Sequence, residues 1–510
     1  MSEPSTEGPT LDLSHRRVLI IIGALMLGMF LAALDQTIVS TALPTIVADL
    51  HGASHLAWIV VAYLLAATVS TPLWGKLGDQ YGRKRFFQAA IVIFLCGSAL
   101  SGLSHTLTEL IAFRAVQGLG GGGLMVGAQA IVGDVVSPRE RGRYQGLFGA
   151  VFGVASVIGP LLGGVFVQQL SWHWIFYINV PVGAVALAVV AAQVPGNLRR
   201  VHHVIDYLGT VVLVISASSL VLFTSLGGTT YPWGSPTIIT LGVIGAVFLG
   251  VFVVVERRAP EPVLPLHLFS NRGFSVTSVV GFIVGFAMFG AITYLPLFFQ
   301  IVHGESPTVS GLELLPLLAG LVVFSAGSGI IISRTGRYRA FPIVGTALMA
   351  VGLLLLSQVG VNTSLVIAGA FMFVLGVGLG CVMQVLVLIV QNAVPYSELG
   401  VGTSGATFFR SIGGSFGTAI FGAIFSNVLV GNLAHYLGKT RLPAGLSSSG
   451  ITPAILDKLP AVAHHGVAAA YAASIQTVFV IAAPIGLIAF LVSWLIPVVE
   501  LRMGVGPAVD

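Results

Sequence analysis

The feature that most constrains this chain is a short basic segment between two long apolar runs, Gly75-Lys76-Leu77-Gly78-Asp79-Gln80-Tyr81-Gly82-Arg83-Lys84-Arg85. Its four cations are costly inside a bilayer, and its three glycines permit turns and close approach of backbones. The segment therefore predicts a tight turn at a membrane surface. An ordinary hairpin that keeps cations on the cytoplasmic side of a membrane explains the same charges equally well.

The composition places the whole chain in a membrane. Of 510 residues, 56% are hydrophobic and 8% are charged, whereas soluble domains carry about 25% charged residues. The net charge of +5 is spread over many short loops, which favours contact with anionic lipids over binding of nucleic acid. Cys96 and Cys381 lie in separate apolar runs, so we expect no disulfide. The first apolar run lacks a cleavage site and is expected to stay.

Fourteen apolar segments are long enough to span a membrane, at about 20 residues each. They cover roughly 18–47, 56–74, 86–104, 108–131, 144–167, 174–194, 207–227, 236–255, 274–299, 309–332, 340–359, 364–390, 401–430 and 470–497. An even number of spans puts both termini on one side, and most of the 23 Lys and Arg residues fall in loops on that side. The positive-inside rule therefore predicts that both termini are cytoplasmic.

A weak internal repeat divides the chain. Residues 81–85 are echoed by Thr335-Gly336-Arg337-Tyr338-Arg339, and Pro44 by Pro296. Such repeats are typical of transporters built from two six-helix halves. The predicted fold is an all-α polytopic membrane protein with these parts: a cytoplasmic tail (1–17), an N-terminal bundle (18–194), a linker with two extra helices (195–273), a C-terminal bundle (274–497) containing a long outer loop (431–469), and a second cytoplasmic tail (498–510).

Four ionisable residues fall inside predicted spans, where an unpaired charge is expensive: Asp35, Arg114, Glu313 and Arg410. Asp35 and Arg114 lie at similar depths, counted at about 1.5 Å per residue. We hypothesise that they approach one another, and that a small movement of Arg114 loads or releases a proton on Asp35. A static ion pair, or an aspartate that reaches the membrane interface, is the alternative.

Glu313 and Arg410 are harder to assign. Glu313 is a candidate for proton coupling, but it also suits the first turn of a helix, where the helix dipole favours acids. Arg410 suits either an anionic group of a substrate or a partner across the bundle. Metal-ligand spacing, a nucleotide-binding motif and a catalytic constellation are all missing from the sequence, so we expect neither a cofactor, a metal site nor enzymatic activity.

Several of these patterns resemble the fourteen-helix drug/proton antiporters of the major facilitator superfamily, the group that includes EmrB and QacA. The resemblance rests on Leu34 to Pro44 in the first helix, Gly75 to Arg85, Arg114 to Gly118, and a glycine pattern in the fifth helix. That last pattern consists of Gly149, Gly153, Gly159, Pro160, Gly163 and Gly164. The chain departs from the family in carrying His173 between Trp172 and Trp174, where an arginine is usual.

The resemblance implies roles for these residues. Asp35 would take part in proton coupling with help from Arg114, and Asp79 and Arg83 would form a latch between helices, in the motif of Gly75, Asp79, Gly82, Arg83, Lys84 and Arg85. The glycines and Pro160 of the fifth helix are typical of exporters. The implied activity is proton-driven efflux of amphipathic compounds by a carrier in the cell membrane, driven by the proton gradient without a cofactor, and expected to act as a monomer among membrane lipids.

The substrate site is poorly specified by the sequence. Aromatic faces and amides hold amphipathic cations without demanding one shape, and the candidates of this kind are Tyr63, Gln129, Tyr294, Gln384, Gln391 and Phe408, together with Arg410. Because Asp35 is the clearest acid inside the membrane, the sequence favours cationic substrates. A dedicated exporter of one lipid, siderophore or metabolite remains open, as does a receptor or scaffold that uses the carrier fold.

Overall fold

A computed structural model describes residues 14–50, 56–136, 138–196, 206–228, 230–437 and 460–498. Seventeen α-helices lie in these residues: α1 His15–Asp49, α2 Leu56–Tyr81, α3 Arg83–Gly102, α4 Leu107–Val135, α5 Pro138–Gln169, α6 Trp174–Tyr177, α7 Asn179–Gln193, α8 Tyr207–Leu226, α9 Pro236–Glu256, α10 Arg272–Ile292, α11 Tyr294–Val302, α12 Pro307–Leu312, α13 Leu315–Thr335, α14 Ala340–Leu356, α15 Leu365–Ala393, α16 Leu399–Leu437 and α17 Ala461–Ser493. Short 3-10 helices occupy Leu266–Ser270 and Tyr396–Glu398.

The helices make the predicted fourteen crossings. Within the described residues, twelve helical stretches are long and apolar enough to span a membrane, and two shorter apolar helices, Arg272–Met288 and Ala340–Leu356, complete the set. Three crossings are interrupted, between α6 and α7, α10 and α11, and α12 and α13. The all-α polytopic fold class is confirmed.

Several predicted boundaries differ from those in the structure. The span expected at 274–299 breaks at Thr293, and the span expected at 309–332 begins with a separate short helix. The outer loop expected at 431–469 is also shorter than predicted, because α16 continues to Leu437 and α17 starts at Ala461. Residues 438–459 of that loop lie outside the described residues, as do most of the two predicted tails and residues 197–205 of the linker.

Two apolar clusters form the cores of two bundles. One is built by α1 to α7 around residues such as Phe87, Phe94 and Phe148, and the other by α10 to α17 around residues such as Phe299 and Phe479. The linker helices α8 and α9 pack on each other, and α8 contacts α2 of one bundle and α16 of the other. A third cluster joins them, with Val69 of α2, Val212 of α8 and Phe408 of α16 in one apolar contact region.

The two bundles meet along two seams, α5 with α13 and α2 with α16. The helices run alternately, so the ends of α2, α4, α13 and α15 share one membrane face with the beginnings of α3, α5 and α16. We call this the latch face and the opposite one the far face. The sequence predicts that the latch face is cytoplasmic.

Candidate functional site

The first candidate site is a buried polar cluster inside the N-terminal bundle. The guanidinium of Arg114 on α4 lies 2.5 Å from a carboxylate oxygen of Asp35 on α1. Both side chains are buried, with exposed fractions of 1% and 0%. The sequence predicts that these two residues approach one another, and in the structure they do. Counting residues along each helix places them at the same depth in the membrane.

Three further side chains complete the shell around this pair. The second carboxylate oxygen of Asp35 accepts hydrogen bonds from the amides of Gln117, at 2.8 Å, and Asn179, at 3.4 Å. Arg114 also donates to the side-chain oxygen of Gln117 and lies over the ring of Tyr63, 4.3 Å from its centre. This cluster of Asp35, Arg114, Gln117, Asn179 and Tyr63, the acid cluster, compensates a charge pair that would otherwise be costly in the membrane.

Glycines in α4 make this closeness possible. A Cβ atom on Gly118 would lie 2.3 Å from the backbone oxygen of Tyr63, and one on Gly121 would lie 2.4 Å from the hydroxyl of Tyr63. A side chain at either position would therefore push α2 away and lift the Tyr63 ring off Arg114. The run of glycines after Arg114 serves helix packing.

The sequence reasoning missed Gln117 and Asn179. Gln117 follows Arg114 by one helical turn, so its position on the same face was readable from the spacing. Asn179 follows the break between α6 and α7 at Ile178, and its amide also donates to Ser98. Pro181, three residues after Ile178, cannot donate a backbone hydrogen bond to the carbonyl of Tyr177, so the sequence carried a signal for this break that the reasoning overlooked.

The second candidate site is the latch at the turn that follows α2. Gly82 has a φ of 104°, a value that glycine adopts readily, and α3 begins at the next residue. The guanidinium of Arg83 donates to Asp79 at 2.7 Å and also contacts Asp134 at the end of α4. The predicted pairing of Asp79 with Arg83 is present, with Asp134 as a second acid that the sequence reasoning did not select.

The latch also binds the other bundle. Both carboxylate oxygens of Asp79 accept hydrogen bonds from the first backbone N–H groups of α16, at Gly400 (3.0 Å) and Val401 (2.9 Å). The partial positive charge of a helix N-terminus favours such an anion. Tyr396 adds a hydrogen bond from its hydroxyl to Asp134. The charges of the N-terminal bundle therefore hold the C-terminal bundle at this face.

Not every residue of the predicted motif takes part. A Cβ atom on Gly75 would lie 2.3 Å from the Ser404 hydroxyl, so Gly75 permits the contact between α2 and α16. Lys84 instead donates to the backbone oxygen of Ala191 in its own bundle, and Arg85 is exposed. The structure brings neither Lys84 nor Arg85 to the seam.

The glycine pattern of α5 lies along the other seam. A Cβ atom on Gly149 would meet Ser325 of α13, one on Gly153 would meet Val322, and one on Gly159 would meet Thr37 of α1. Pro160 lies beside Gly311, whereas a Cβ on Gly164 would meet no atom within 4 Å. Gly163 is buried. Most of the motif therefore allows close contact between helices, and Gly164 does not.

Buried amides connect the bundles beneath the latch. Gln391 of α15 donates to the backbone oxygen of Gln129 and accepts from the amide of Gln145 on α5. Gln145 was not selected from the sequence. Gln384 lies two turns from Gln391, and its side-chain oxygen has no partner among the described residues.

The remaining substrate candidates lie in different surroundings. Tyr294 packs on Phe425, with ring centres 5.0 Å apart, and Phe408 belongs to the apolar cluster shared with the linker helices. Tyr63 is part of the acid cluster. In this conformation these three side chains are packed in the interior, whereas Arg410 is half-buried. Glu313 is half-buried at the end of α12, and one of its carboxylate oxygens has no partner in the described structure.

His173 lies between spans near the far face. Its ring stacks on Trp172 at 3.7 Å, and Trp172 donates to Asp49. Burial lowers the pKa of His173, and the nearby carboxylate of Asp49 offsets part of that effect. Within the residues described, no three His, Cys, Asp or Glu side chains cluster to hold a metal ion, and Cys96 and Cys381 are free thiols.

Two helical bundles that meet around buried charged groups, with a latch at one face, define a membrane transporter. The chain belongs to the Major Facilitator Superfamily, whose profile matches residues 25–418. It is 47% identical to an uncharacterized MFS-type transporter of Mycobacterium tuberculosis over 97% of this chain and 71% of that protein. It is 41% identical to the multidrug transporter protein MdtP of Bacillus subtilis over 85% of this chain and 80% of MdtP.

The fold also matches solved structures. The human organic anion transporter MFSD10 (TETRAN) superposes with a TM-score of 0.65, at 14% identity, over 93% of this chain and 99% of that one. At this level of identity the match concerns the fold. The resemblance to multidrug exporters is confirmed by the sequence relatives, and the chain is a multi-pass membrane transporter.

Proposed function

We propose that this protein is a proton-coupled exporter of amphipathic compounds in the cell membrane, with Asp35 as the group that carries the proton. The observation that carries the proposal is the acid cluster, in which a fully buried carboxylate is held by one cation and two amides. The similarity to MdtP, which is named as a multidrug transporter, supports export and breadth of substrate.

Protonation of Asp35 is the event that links the proton to movement. When Asp35 gains a proton, it loses its ion pair with Arg114, and the guanidinium is left without a counter-charge. Arg114 is held by α4, Asp35 by α1 and Asn179 by α7, so a change in this pair alters the packing of three helices. An outward path to Asp35 in one state and an inward path in the other would then give antiport.

The latch supplies the second element of the cycle. In the present conformation, Asp79 and Arg83 keep the bundles together at the latch face, through the N-terminus of α16. Release of these contacts permits the bundles to separate at that face and to expose the buried amides Gln145 and Gln391. The predicted cytoplasmic location of the latch face makes this the loading side.

Uptake into inverted membrane vesicles tests the proposal. A fluorescent amphipathic dye is added under an imposed inside-acid pH gradient, to wild type, to Asp35→Asn and to the control Asp49→Asn. Asp49 is the matched control because it is a carboxylate on the same helix, placed outside the acid cluster. We expect gradient-driven accumulation in wild type and Asp49→Asn, and its loss in Asp35→Asn.

Undiminished accumulation in Asp35→Asn would remove Asp35 from the coupling role. Competition by unrelated compounds then separates a multidrug carrier from a dedicated exporter of a lipid, siderophore or metabolite, because only the former is inhibited broadly. A receptor or scaffold would show no gradient-dependent flux. The sequence favours cationic substrates because Asp35 could bind them. In this conformation Asp35 is not available for that role, since its contacts are all made with protein side chains.

A further inference from the structure

Arg410 is a charged group in the middle of the membrane without a counter-charge. It lies eleven residues after the start of α16, which corresponds to about 16 Å from the latch face, close to the centre of a hydrocarbon core about 30 Å thick. Its guanidinium makes no hydrogen bond, ion pair or ring contact with any described residue. Placing an unpaired arginine at this depth costs free energy, and ionisable residues inside the membrane usually have a functional role.

The side chain lies on the face of α16 that packs against α10 and α15 of its own bundle: Cβ atoms on Gly281 and Gly285 of α10 would lie 4.0 Å and 3.2 Å from the Cβ and Cγ atoms of Arg410. Thr403, Thr407 and Arg410 follow one another at spacings of four and three residues, so they share one helix face. Thr403 accepts a hydrogen bond from Gln391, and Gln391 also binds the backbone of Gln129 in the N-terminal bundle. Arg410 therefore lies on the same face, two turns further into the membrane.

Close packing fixes the backbone at this point. A Cβ atom on Gly285 of α10 would lie 2.2 Å from the backbone oxygen of Arg410, and one on Gly413 would lie 2.1 Å from the backbone oxygen of Phe282. The two helices are thus held together on both sides of Arg410. The half-buried guanidinium is presented from a rigid position, which reduces the cost of binding a ligand there.

The balance of charge between the bundles gives the sign of that ligand. Asp35 and Arg114 neutralise each other and are fully buried. Glu313, the other acid considered, lies at the end of α12 near the far face. Among the described residues Arg410 is therefore a positive charge at mid-membrane without a compensating acid, which repels a cationic substrate and attracts an anionic one in surroundings of low polarity.

We infer that Arg410 is the docking group for an anionic group of the transported molecule, a carboxylate, sulfonate or phosphate on an amphipathic body. A planar guanidinium binds such groups through two parallel hydrogen bonds. The inference rests on the proposed export function and narrows its substrates to anions and zwitterions. It replaces the preference for simple cations that Asp35 suggested from the sequence.

A matched pair of dyes tests this inference by binding alone. The first is a xanthene dye with a free carboxylate, and the second is the ethyl ester of the same dye, so the two differ by one negative charge. Fluorescence anisotropy of each dye is measured with the purified full-length protein in detergent, for wild type, Arg410→Lys and Arg410→Gln. Thermal unfolding of each variant shows whether it is folded.

We expect wild type to bind the carboxylate dye at least tenfold more tightly than the ester. Arg410→Gln should abolish that difference because it weakens binding of the carboxylate dye alone. Arg410→Lys should keep part of the difference, because the charge remains while the paired hydrogen bonds do not. Equal binding of the two dyes to wild type, or equal loss of both in Arg410→Gln, would overturn the inference.

The outcome is separable from that of the export proposal. Charge-selective binding that depends on Arg410, with no gradient-driven flux in vesicles, would retain the anion site and reject proton-coupled export. Flux that depends on Asp35, with no difference in binding between the two dyes, would retain proton-coupled export and reject the anion site.

Discussion

The two bundles carry similar turn segments, residues 81–85 and 335–339, but their charges are placed differently. In the N-terminal bundle, Arg83 follows the turn glycine Gly82 and is buried between Asp79 and Asp134. In the C-terminal bundle, the equivalent glycine Gly336 also has a positive φ, of 71°. The arginine that follows it, Arg337, is exposed, and Arg339, the counterpart of Arg85, donates to a backbone oxygen of Trp494.

The same contrast recurs inside the membrane. The N-terminal bundle pairs Asp35 with Arg114 inside a full shell of hydrogen bonds, whereas the C-terminal bundle leaves Arg410 unpaired among the described residues. The two bundles thus share a backbone turn at the latch face but differ in how their charges are paired. We expect the paired charges of the N-terminal bundle to govern stability and closure, and the unpaired charge of the C-terminal bundle to govern ligand binding. Four predictions test this difference.

The largest effect is expected for stability when the ion pair is split. Arg114→Gln leaves the buried carboxylate of Asp35 without its counter-charge, a change that costs about 3–5 kcal/mol in comparable sites. Adding Asp35→Asn to the same protein should restore part of the loss, because the unpaired charge is removed. Arg410→Gln removes a charge that has no partner among the described residues and should not lower the unfolding temperature. Thermal unfolding in detergent measures all three, and a loss in Arg410→Gln equal to that in Arg114→Gln would erase the contrast between the bundles.

The latch should show the next largest effect. Asp79→Asn weakens charge-assisted hydrogen bonds to Arg83 and to the N-terminus of α16, at about 2 kcal/mol, or roughly 30-fold in the balance between closed and open latch. Opening is measured as the rate at which a maleimide labels a Ser404→Cys variant, whose side chain is buried at the seam, after replacement of Cys96 and Cys381. Arg339→Gln is the matched control in the other repeat and should leave the rate unaltered. Faster labelling in both would mean that the repeats act equally.

Helix contact at the seam gives a steric prediction. Gly75→Ala places a methyl group where Ser404 and a backbone oxygen of α16 already lie, and such overpacking costs about 1–3 kcal/mol. Gly164→Ala places a methyl group in open space and should leave the export rate unchanged, although Gly164 also belongs to a glycine motif. Rates of dye export compare the two. Equal inhibition by both substitutions would show that the motif acts through something other than contact.

The smallest effect concerns the buried amides. Gln145→Leu removes one neutral hydrogen bond between the bundles, worth about 1 kcal/mol, and should speed labelling of Ser404→Cys by roughly fivefold. Gln476→Leu is the matched change within the C-terminal bundle, where the amide donates to the backbone oxygen of Val359 in the loop before α15. That variant should leave the labelling rate unchanged. Faster labelling in Gln476→Leu than in Gln145→Leu would show that the amide of Gln145 does not help to hold the bundles together.

Much of the fold was readable from the sequence because membrane spans follow from apolar length alone. The fourteen crossings are one example, and the contact of Asp35 with Arg114 is another, since depth along a helix follows from counting residues. The breaks at Ile178 and Thr293 were readable but overlooked, because Pro181 and Pro296 each follow the break by three residues and lack the N–H that would continue the helix. Asp134 and Tyr396 were missed because contacts between helices depend on which helices become neighbours.

The substrate candidates show the same limit. Residue type identified Gln391 and Arg410 as polar groups at useful depths, but it also selected Tyr294 and Phe408, which pack in apolar clusters. An aromatic side chain in a membrane helix has many apolar neighbours available, whereas a buried amide or guanidinium has few acceptable surroundings. Polar residues were therefore the more informative part of the prediction.

A change in the number of bound protons on substrate binding decides whether Asp35 is the coupling group. Purified protein in weakly buffered detergent is mixed with the carboxylate dye, and a pH indicator follows protons taken up or released, for wild type, Asp35→Asn and Asp49→Asn. We predict a stoichiometric proton signal in wild type and Asp49→Asn and none in Asp35→Asn, with dye binding retained in all three. An unchanged proton signal in Asp35→Asn would contradict the assignment and would require another carboxylate, with Glu313 next in order.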